Sequence, residues 1–133
     1  MTKVGYQGNH GTFSEIAALQ YFQGQDMDAV GYKNFPSIMQ DVENGTLDYA
    51  VLPVENTTTG IIARTYDLFQ KYAIHIVGEI NVPIQEDLIV VPGTKMEDIK
   101  EVYSHPEALS QCTGFFEAHP EIQEVPYQDT AKS

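Results

Sequence analysis

The sequence predicts an α/β fold, and two observations support that prediction. Through residues 1–72, short apolar runs alternate with segments whose apolar residues recur at helical spacing, in the order β-α-β-α-β-α. Such alternation is typical of a parallel sheet with right-handed crossovers. Near residue 80, two strand-like runs follow each other without a helix, which indicates passage into another lobe. We therefore predict two α/β lobes, 1–78 and 79–133, the second incomplete in this chain.

The composition fits a globular protein and narrows its partners. Of the 133 residues, 42% are hydrophobic and 20% are charged, and the formal net charge is −12. This excess of acids argues against nucleic acid and anionic membranes as partners, because both are bound by basic surfaces. Cys112 is the single cysteine, so an internal disulfide and a cysteine metal cage are excluded. No run has the length of a membrane span and no apolar leader is visible, so we expect a cytoplasmic protein.

Three strand–helix pairs make up the first lobe. The predicted strands are 3–7, 28–33 and 47–54. Thr12 and Glu15 have capping-box spacing, so Thr12 is the expected N-cap of the first helix. Core packing is the expected role of the apolar face of the second helix, which is formed by Phe35, Ile38, Met39 and Val42.

The second half begins with two strands in direct succession. They are predicted at 73–79 and 87–91, with a hinge near 78–84. Further strands at 101–103 and 121–126 flank a helix. Cys112 lies on the apolar face of that helix and is expected to be a core residue rather than a nucleophile. The face comprises Ala108, Cys112, Phe115 and Phe116.

Two capping-box pairs are predicted in this half. Thr94 with Glu97 precedes a short helix, and Ser104 with Glu107 opens the longer one. Residues 129–133 have the pattern of the first turn of a helix. Because domains rarely end on a helix start, we expect the protein to continue beyond this point.

Four polar loops, at 11–14, 55–60, 104–107 and 129–131, each follow a strand and precede a helix. Ligands of open α/β sheets bind at the carboxyl ends of strands, and helix N-termini favour anions. We therefore expect the lobes to close around a small carboxylate-bearing molecule. Helix capping alone is the alternative explanation of each loop. The sequence contains no metal-ligand cluster and no phosphate-binding loop.

The loop sequences resemble those of prephenate dehydratases. GNHGTFSE at 8–15, PVENTTTG at 53–60, SHPEALSQC at 104–112 and DTA at 129–131 occur in that family's order. The resemblance runs from about residue 4 to the end of the chain. It implies a fold similar to type II periplasmic binding proteins, with the active site between the lobes. It also implies conversion of prephenate to phenylpyruvate, water and carbon dioxide, a step of phenylalanine biosynthesis, with no metal or organic cofactor.

The resemblance also implies roles for single residues. The implied catalytic residues are Glu55, Asn56 and Thr57: Asn56 and Thr57 would hydrogen-bond the substrate, and Glu55 would shape or polarise their loop. Further substrate-binding residues are Thr12 and Thr130, which would present helix ends to carboxylates, and Ser104 and Gln111, which would reach in from the second lobe. By side-chain chemistry His105 is a candidate proton donor, with capping or exposure as the alternatives. His10 is expected to be a solvated or hydrogen-bonded bystander.

The chain departs from the family's pattern in three respects. Thr57 stands where the family usually has serine, and Asn9 stands where it usually has proline. The Thr-Arg-Phe motif that resembling enzymes use for catalysis is absent, as is the regulatory ACT domain. We therefore expect this 133-residue chain alone to be inactive or very feeble. As a separate expectation, the protein is a homo-oligomer.

Two other interpretations remain open. A cytosolic two-lobed sensor could bind a small carboxylate without catalysis, and turnover of prephenate by a longer chain would separate the two. Alternatively, the chain is a structural fragment that pairs with itself or another chain through exposed sheet edges. Light scattering over a concentration series would test that possibility.

Overall fold

The computed structural model describes residues 1–57, 60–128, 130, 131 and 133. The chain divides into two compact units, Met1–Pro83 and Ile84–Ser133. The assignment of 1–78 and 79–133 to two lobes stays a prediction.

The first unit contains a three-stranded parallel sheet in the order β2-β1-β3. The parallel sheet predicted from the alternating pattern is confirmed. Its strands and the helices that connect and follow them are β1 (Thr2–Gln7), α1 (Phe13–Tyr21), β2 (Met27–Tyr32), α2 (Phe35–Glu43), β3 (Tyr49–Val51) and α3 (Ala63–Lys71). Between β3 and α3 lies a short antiparallel hairpin formed by β4 (Glu55–Asn56) and β5 (Gly60–Ile61).

Two apolar clusters form the core of this unit. Val4 of β1 packs with Ala18 of α1 and with Phe22, the residue that follows α1. The second cluster packs around α2, where Phe35, Ile38 and Met39 are buried as predicted, together with Leu47. Val42, predicted to share that face, is partly buried against it. Gly5 follows Val4, and a Cβ on it would lie 2.5 Å from Leu47 Cδ1, so any side chain there would displace Leu47 within the second cluster.

The second unit contains a parallel pair of strands, β6 (Glu101–Ser104) and β7 (Gln123–Pro126). Two short helices, α4 (Pro106–Gln111) and α5 (Thr113–Ala118), connect them. The predicted helix is thus interrupted at Cys112, which ends α4. Ala108, Leu109 and Ile122 are buried in this unit, whereas Cys112 is half-buried.

The strand predictions at 73–79 and 87–91 were wrong. Within the described residues neither run pairs with another strand, and both lie outside regular secondary structure. Their apolar side chains include strongly exposed ones, such as Ile76 at 68% and Ile89 at 89%. Apolar, β-branched composition favours a strand only where a neighbouring strand supplies the hydrogen-bond ladder. The prediction of 47–54 as one strand was too long, because only Tyr49–Val51 pairs with β1.

Two capping predictions in the second half were also wrong. Before the short 3-10 turn at Met96–Asp98, Asp98 Oδ2 accepts from the Lys95 amide at 3.0 Å, so the pair is shifted by one residue. At α4 the N-cap is His105, whose Nδ1 accepts from the Glu107 amide at 3.1 Å. The capping role considered for His105 is thereby confirmed, and Ser104 does not cap α4.

Candidate functional site

The turn between β1 and α1 is held by backbone and cap contacts. The Gly8 amide donates to the Tyr32 carbonyl at 2.9 Å. Gly8 (φ +115°) and Gly11 (φ +92°) adopt the left-handed region that favours glycine. Thr12 Oγ1 accepts from the Glu15 amide at 3.4 Å, so the predicted N-cap is confirmed.

Glu15 lies inside this turn as a buried carboxylate with only 7% of its surface exposed. Its Oε1 accepts from the Gly11 amide at 2.9 Å, and its Oε2 accepts from Tyr6 Oη at 2.9 Å and lies 2.8 Å from His10 Nδ1. Burial raises the pKa of the Glu15 carboxyl, but the hydrogen bonds from Gly11, His10 and Tyr6 together outweigh it and hold the pKa below its ordinary value. Burial and the bond to Glu15 raise the pKa of Tyr6 to about 12.

These contacts leave part of the α1 N-terminus open. The Gly11 and Glu15 amides are occupied by Glu15 and Thr12. The amides of Phe13 and Ser14, at the first two helical positions, have no acceptor in the part of the chain that the structure describes. The turn therefore offers an external ligand the Thr12 hydroxyl and two adjacent amides.

The loop after β3 is a hairpin rather than the open loop predicted. Glu55 pairs with Ile61 and Asn56 with Gly60. The Ile62 amide donates to the Val54 carbonyl at 2.8 Å and closes the base. Glu55 is exposed and Asn56 is half-buried. At the hairpin's tip Thr57 is exposed, and Thr58 and Thr59 lie outside the described residues.

Thr65 of α3 fixes the chain that leads into the hairpin. Its Oγ1 donates to the Pro53 carbonyl at 2.8 Å, and the residue is completely buried. Ile62, the N-cap of α3, receives no side-chain cap bond among the described residues. Capping therefore does not explain the polar residues of this loop within the described part.

In the second unit the structure brings Ser104 and Thr130 together. Ser104, the last residue of β6, donates from its Oγ to Oγ1 of Thr130, which follows β7, at 3.3 Å. Gln111, the last residue of α4, is half-buried. Glu107 Oε1 is buried and has no hydrogen-bond partner among the described residues. Asp129, part of the predicted loop 129–131, lies outside them.

The first unit also contains an open pocket of about 240 Å³. Arg64, the only arginine of the chain, lies inside α3 as expected, and its guanidinium carbon stands 4.7 Å from the centre of the Phe35 ring. No pattern in the sequence predicted this stacking. The lining residues are Gln7, Asn34, Phe35, Pro36, Arg64 and Leu68. The pocket thus combines apolar lining residues with one cation, the Arg64 guanidinium held over the Phe35 ring, and lies at the carboxyl end of β1.

The described residues show neither a metal-binding cluster nor a membrane-spanning helix. They contain no group of three or more histidine, cysteine, aspartate or glutamate side chains placed to hold a metal ion. None of the helices they form is long and apolar enough to cross a bilayer.

Sequence reasoning missed three residues that shape the candidate site. Glu15 was recognised as a capping partner but not as a buried acceptor. Thr65 and Glu107 were not singled out for their burial. The available signal was a polar residue at helical spacing from apolar ones, as Thr65 stands three residues from both Ile62 and Leu68.

Known proteins match the chain along most of its length. Residues 4–133 match the family model for prephenate dehydratase. Arogenate dehydratase/prephenate dehydratase 1, chloroplastic, from Arabidopsis thaliana is 42% identical over 97% of this chain and 32% of its own. The bifunctional chorismate mutase/prephenate dehydratase of Enterobacter agglomerans is 38% identical over 89% of this chain and 31% of its own.

A solved structure agrees with these matches. Prephenate dehydratase from Arthrobacter aurescens, in complex with L-Phe, superposes with a TM-score of 0.87 at 30% identity, covering 98% of this chain and 44% of that one. The chain thus spans about a third of the length of these curated relatives. The predicted fold class, α/β and similar to type II periplasmic binding proteins, is confirmed. The family model covers nearly the whole chain, and the chain therefore belongs to the prephenate dehydratase family.

Proposed function

We propose that these 133 residues form part of a prephenate dehydratase that supplies phenylpyruvate for phenylalanine biosynthesis. The observation that supports this most strongly is the family match over residues 4–133. In the first unit, the turn after β1 and the hairpin after β3 offer hydroxyl and amide groups suited to a small anion.

The reaction needs little covalent chemistry from the protein. Prephenate carries two carboxylates and one ring hydroxyl. When the ring carboxylate leaves as carbon dioxide, its bonding electrons enter the ring and the hydroxyl leaves, taking up one proton to form water. Because aromatisation drives this step, the protein mainly has to hold the dianion in one orientation and assist that protonation.

The first unit would bind one end of the substrate. Thr12 Oγ can donate to a carboxylate while it accepts from the Glu15 amide. The amides of Phe13 and Ser14 add two donors with the favourable dipole of α1 behind them. Such local donors can hold an anion even though the chain has a net charge of −12.

The hairpin would contribute the catalytic residues Glu55, Asn56 and Thr57. The backbone of Asn56 is held by its pairing with Gly60, so the hairpin fixes the position from which the side chain extends. Thr57 retains the hydroxyl that serine usually supplies in the family. Glu55 would polarise these neighbours.

In the second unit, the Ser104–Thr130 hydroxyl pair and Gln111 would complete the set of donors. A mutual bond between Ser104 and Thr130 leaves at least one hydroxyl proton available for a carboxylate oxygen.

Turnover is the test. A longer chain that contains residues 1–133 should convert prephenate to phenylpyruvate, followed by the absorbance of the product. The 133-residue chain alone should be far slower. Binding of prephenate without turnover by the longer chain would instead support a cytosolic sensor. Arogenate should be run in parallel, because the Arabidopsis relative's name includes it; faster turnover of arogenate would replace prephenate as the substrate.

Cytoplasmic location and a homo-oligomeric state belong to the same proposal. The relatives include chloroplastic and bacterial proteins, so location should be read from fractionation of cells that make the native protein. Light scattering of the longer chain over a concentration series should show a dimer or larger assembly. A monomer at all concentrations would contradict that part.

A further inference from the structure

A carboxylate–imidazole pair lies in the turn that follows β1. Glu15 is buried, whereas the side chain of His10 is 93% exposed. The distance from Glu15 Oε2 to His10 Nδ1 is 2.8 Å. One nitrogen of the ring is therefore held from inside the protein, while the rest of the ring faces outward.

The carboxylate cannot easily rotate away from His10. Its other oxygen accepts from the Gly11 amide at 2.9 Å, and Oε2 also accepts from Tyr6 Oη at 2.9 Å. Tyr6 is itself buried, at 3% exposure. Three donors from a strand and a turn thus fix the orientation of one side chain of α1.

This geometry determines which nitrogen of His10 carries the proton. An ionised carboxylate only accepts hydrogen bonds, so Nδ1 must be the donor at 2.8 Å. In the neutral ring Nε2 is then an acceptor directed away from Glu15. An exposed histidine without a partner carries its proton mostly on Nε2, so the arrangement reverses the ordinary preference.

We propose that Glu15 is a positioning residue that holds His10 in the Nδ1–H tautomer, so that His10 Nε2 and the Thr12 hydroxyl are both presented to the ligand of this turn. The partner of Nε2 follows from the proposed function: it is the ring hydroxyl of prephenate, the only neutral hydrogen-bond donor of that substrate. Thr12 then binds a carboxylate, so the two residues bind different groups of one molecule.

The tautomer can be measured on the 133-residue chain. Nitrogen-15 NMR of His10 at about pH 8.5, where imidazole is ordinarily neutral, should show a protonated Nδ1 and an unprotonated Nε2. In Glu15→Gln the amide oxygen can still accept from Gly11, but its NH₂ faces Nδ1. The expected result is a switch of His10 to the Nε2–H tautomer. Glu117→Gln, at an exposed position of α5, removes the same charge elsewhere and should leave His10 unchanged.

Either of two results would overturn the positioning role. One is a wild-type His10 with its proton on Nε2. The other is a tautomer that stays the same in Glu15→Gln. Because the wild-type spectrum needs no variant, the proposal remains testable even if a substitution impairs folding.

The assigned contact is tested separately on the longer chain. His10→Ala should raise KM for prephenate about tenfold, the loss expected for one hydrogen bond to the ligand, with a smaller effect on kcat. An unchanged KM would overturn the contact with the hydroxyl. If the longer chain does not turn over prephenate at all, the proposed function fails while the tautomer result stands, so the two failures are distinguishable.

Discussion

Replacing Thr65 by valine tests how the hairpin of the candidate site is anchored. Thr65 Oγ1 donates to the Pro53 carbonyl at 2.8 Å and is completely buried. Valine keeps the shape but leaves the carbonyl without its donor, at a cost of about 1–3 kcal/mol, against which one added buried methyl stabilises by about 0.8 kcal/mol. The net expected loss of unfolding free energy is about 1 kcal/mol, roughly a factor of five in the open population.

Amide hydrogen exchange of Ile62 is the appropriate assay. This amide donates to the Val54 carbonyl at the base of the hairpin, so it reports local opening. Thr65→Val should speed its exchange about fivefold, and the carbonyl carbon of Pro53 should show the chemical shift of a lost hydrogen bond.

Thr65→Ser is the matched control. Serine keeps the donor and loses a buried methyl group, so the unfolding free energy should fall by about 1 kcal/mol while the Pro53 carbonyl shift stays unchanged. If valine left both the Ile62 exchange rate and the Pro53 shift at their wild-type values, the hydroxyl would not anchor the hairpin and the reasoning would be refuted.

Three further predictions follow from titratable groups. The pKa of the Glu15 carboxyl lies below its ordinary 4.5, so this group stabilises the fold fully above pH 4.5, and the stabilisation is lost as pH falls through the folded-state pKa. Acid unfolding monitored by circular dichroism should therefore be less steep in Glu15→Gln than in wild type. Equal steepness would contradict this. Burial and the hydrogen bonds to Glu15 and Asp41 raise the pKa values of Tyr6 and Tyr32 from 10.0 to about 12. An alkaline absorbance titration should therefore show two tyrosines that ionise at higher pH than the others. The free energy of unfolding should fall as pH rises from about 10 to about 12. Burial and the negative charges of Glu86 and Glu124 raise the pKa of the Cys112 thiol. Its alkylation at about pH 8, followed by mass spectrometry, should therefore be slower than that of a free thiol. A faster rate would indicate an activated nucleophile.

The sequence was sufficient for elements whose pattern and partners lie close together. The strand–helix alternation predicted the parallel sheet because each connecting helix returns the chain to the same end of the sheet, where β2 and β3 pair with β1 on its two sides. The spacing of Phe35, Ile38 and Met39 predicted the buried face of α2. Thr12 was recognised as an N-cap because its partner is three residues away.

Where the outcome depended on distant contacts, the sequence was insufficient. The run at 87–91 has strand composition, yet no described segment pairs with it. Ser104 was assigned to a cap from its spacing, but His105 competes for the Glu107 amide and Ser104 bonds Thr130 instead. Local pattern cannot show which of two adjacent polar residues makes the bond.

The candidate site shows the same division. Its loops and the donors Thr12 and Asn56 could be found from motifs, because a family's loop residues keep their order along the chain. The buried acceptor role of Glu15 could not, since it depends on Tyr6 being inserted beneath the turn. The stacking of Arg64 on Phe35 depends likewise on the packing of two helices.

The central claim is that side-chain amides and hydroxyls at the carboxyl ends of strands hold a dianionic substrate for dehydration. Its most direct test is kcat/KM for prephenate in the longer chain carrying Asn56→Ala, with Gln70→Ala on the exposed surface of α3 as the control. Loss of one oriented donor at the reacting group should lower kcat/KM by about 10²–10³ without changing the circular dichroism spectrum, and the control should match wild type. Wild-type kcat/KM in Asn56→Ala would contradict the account.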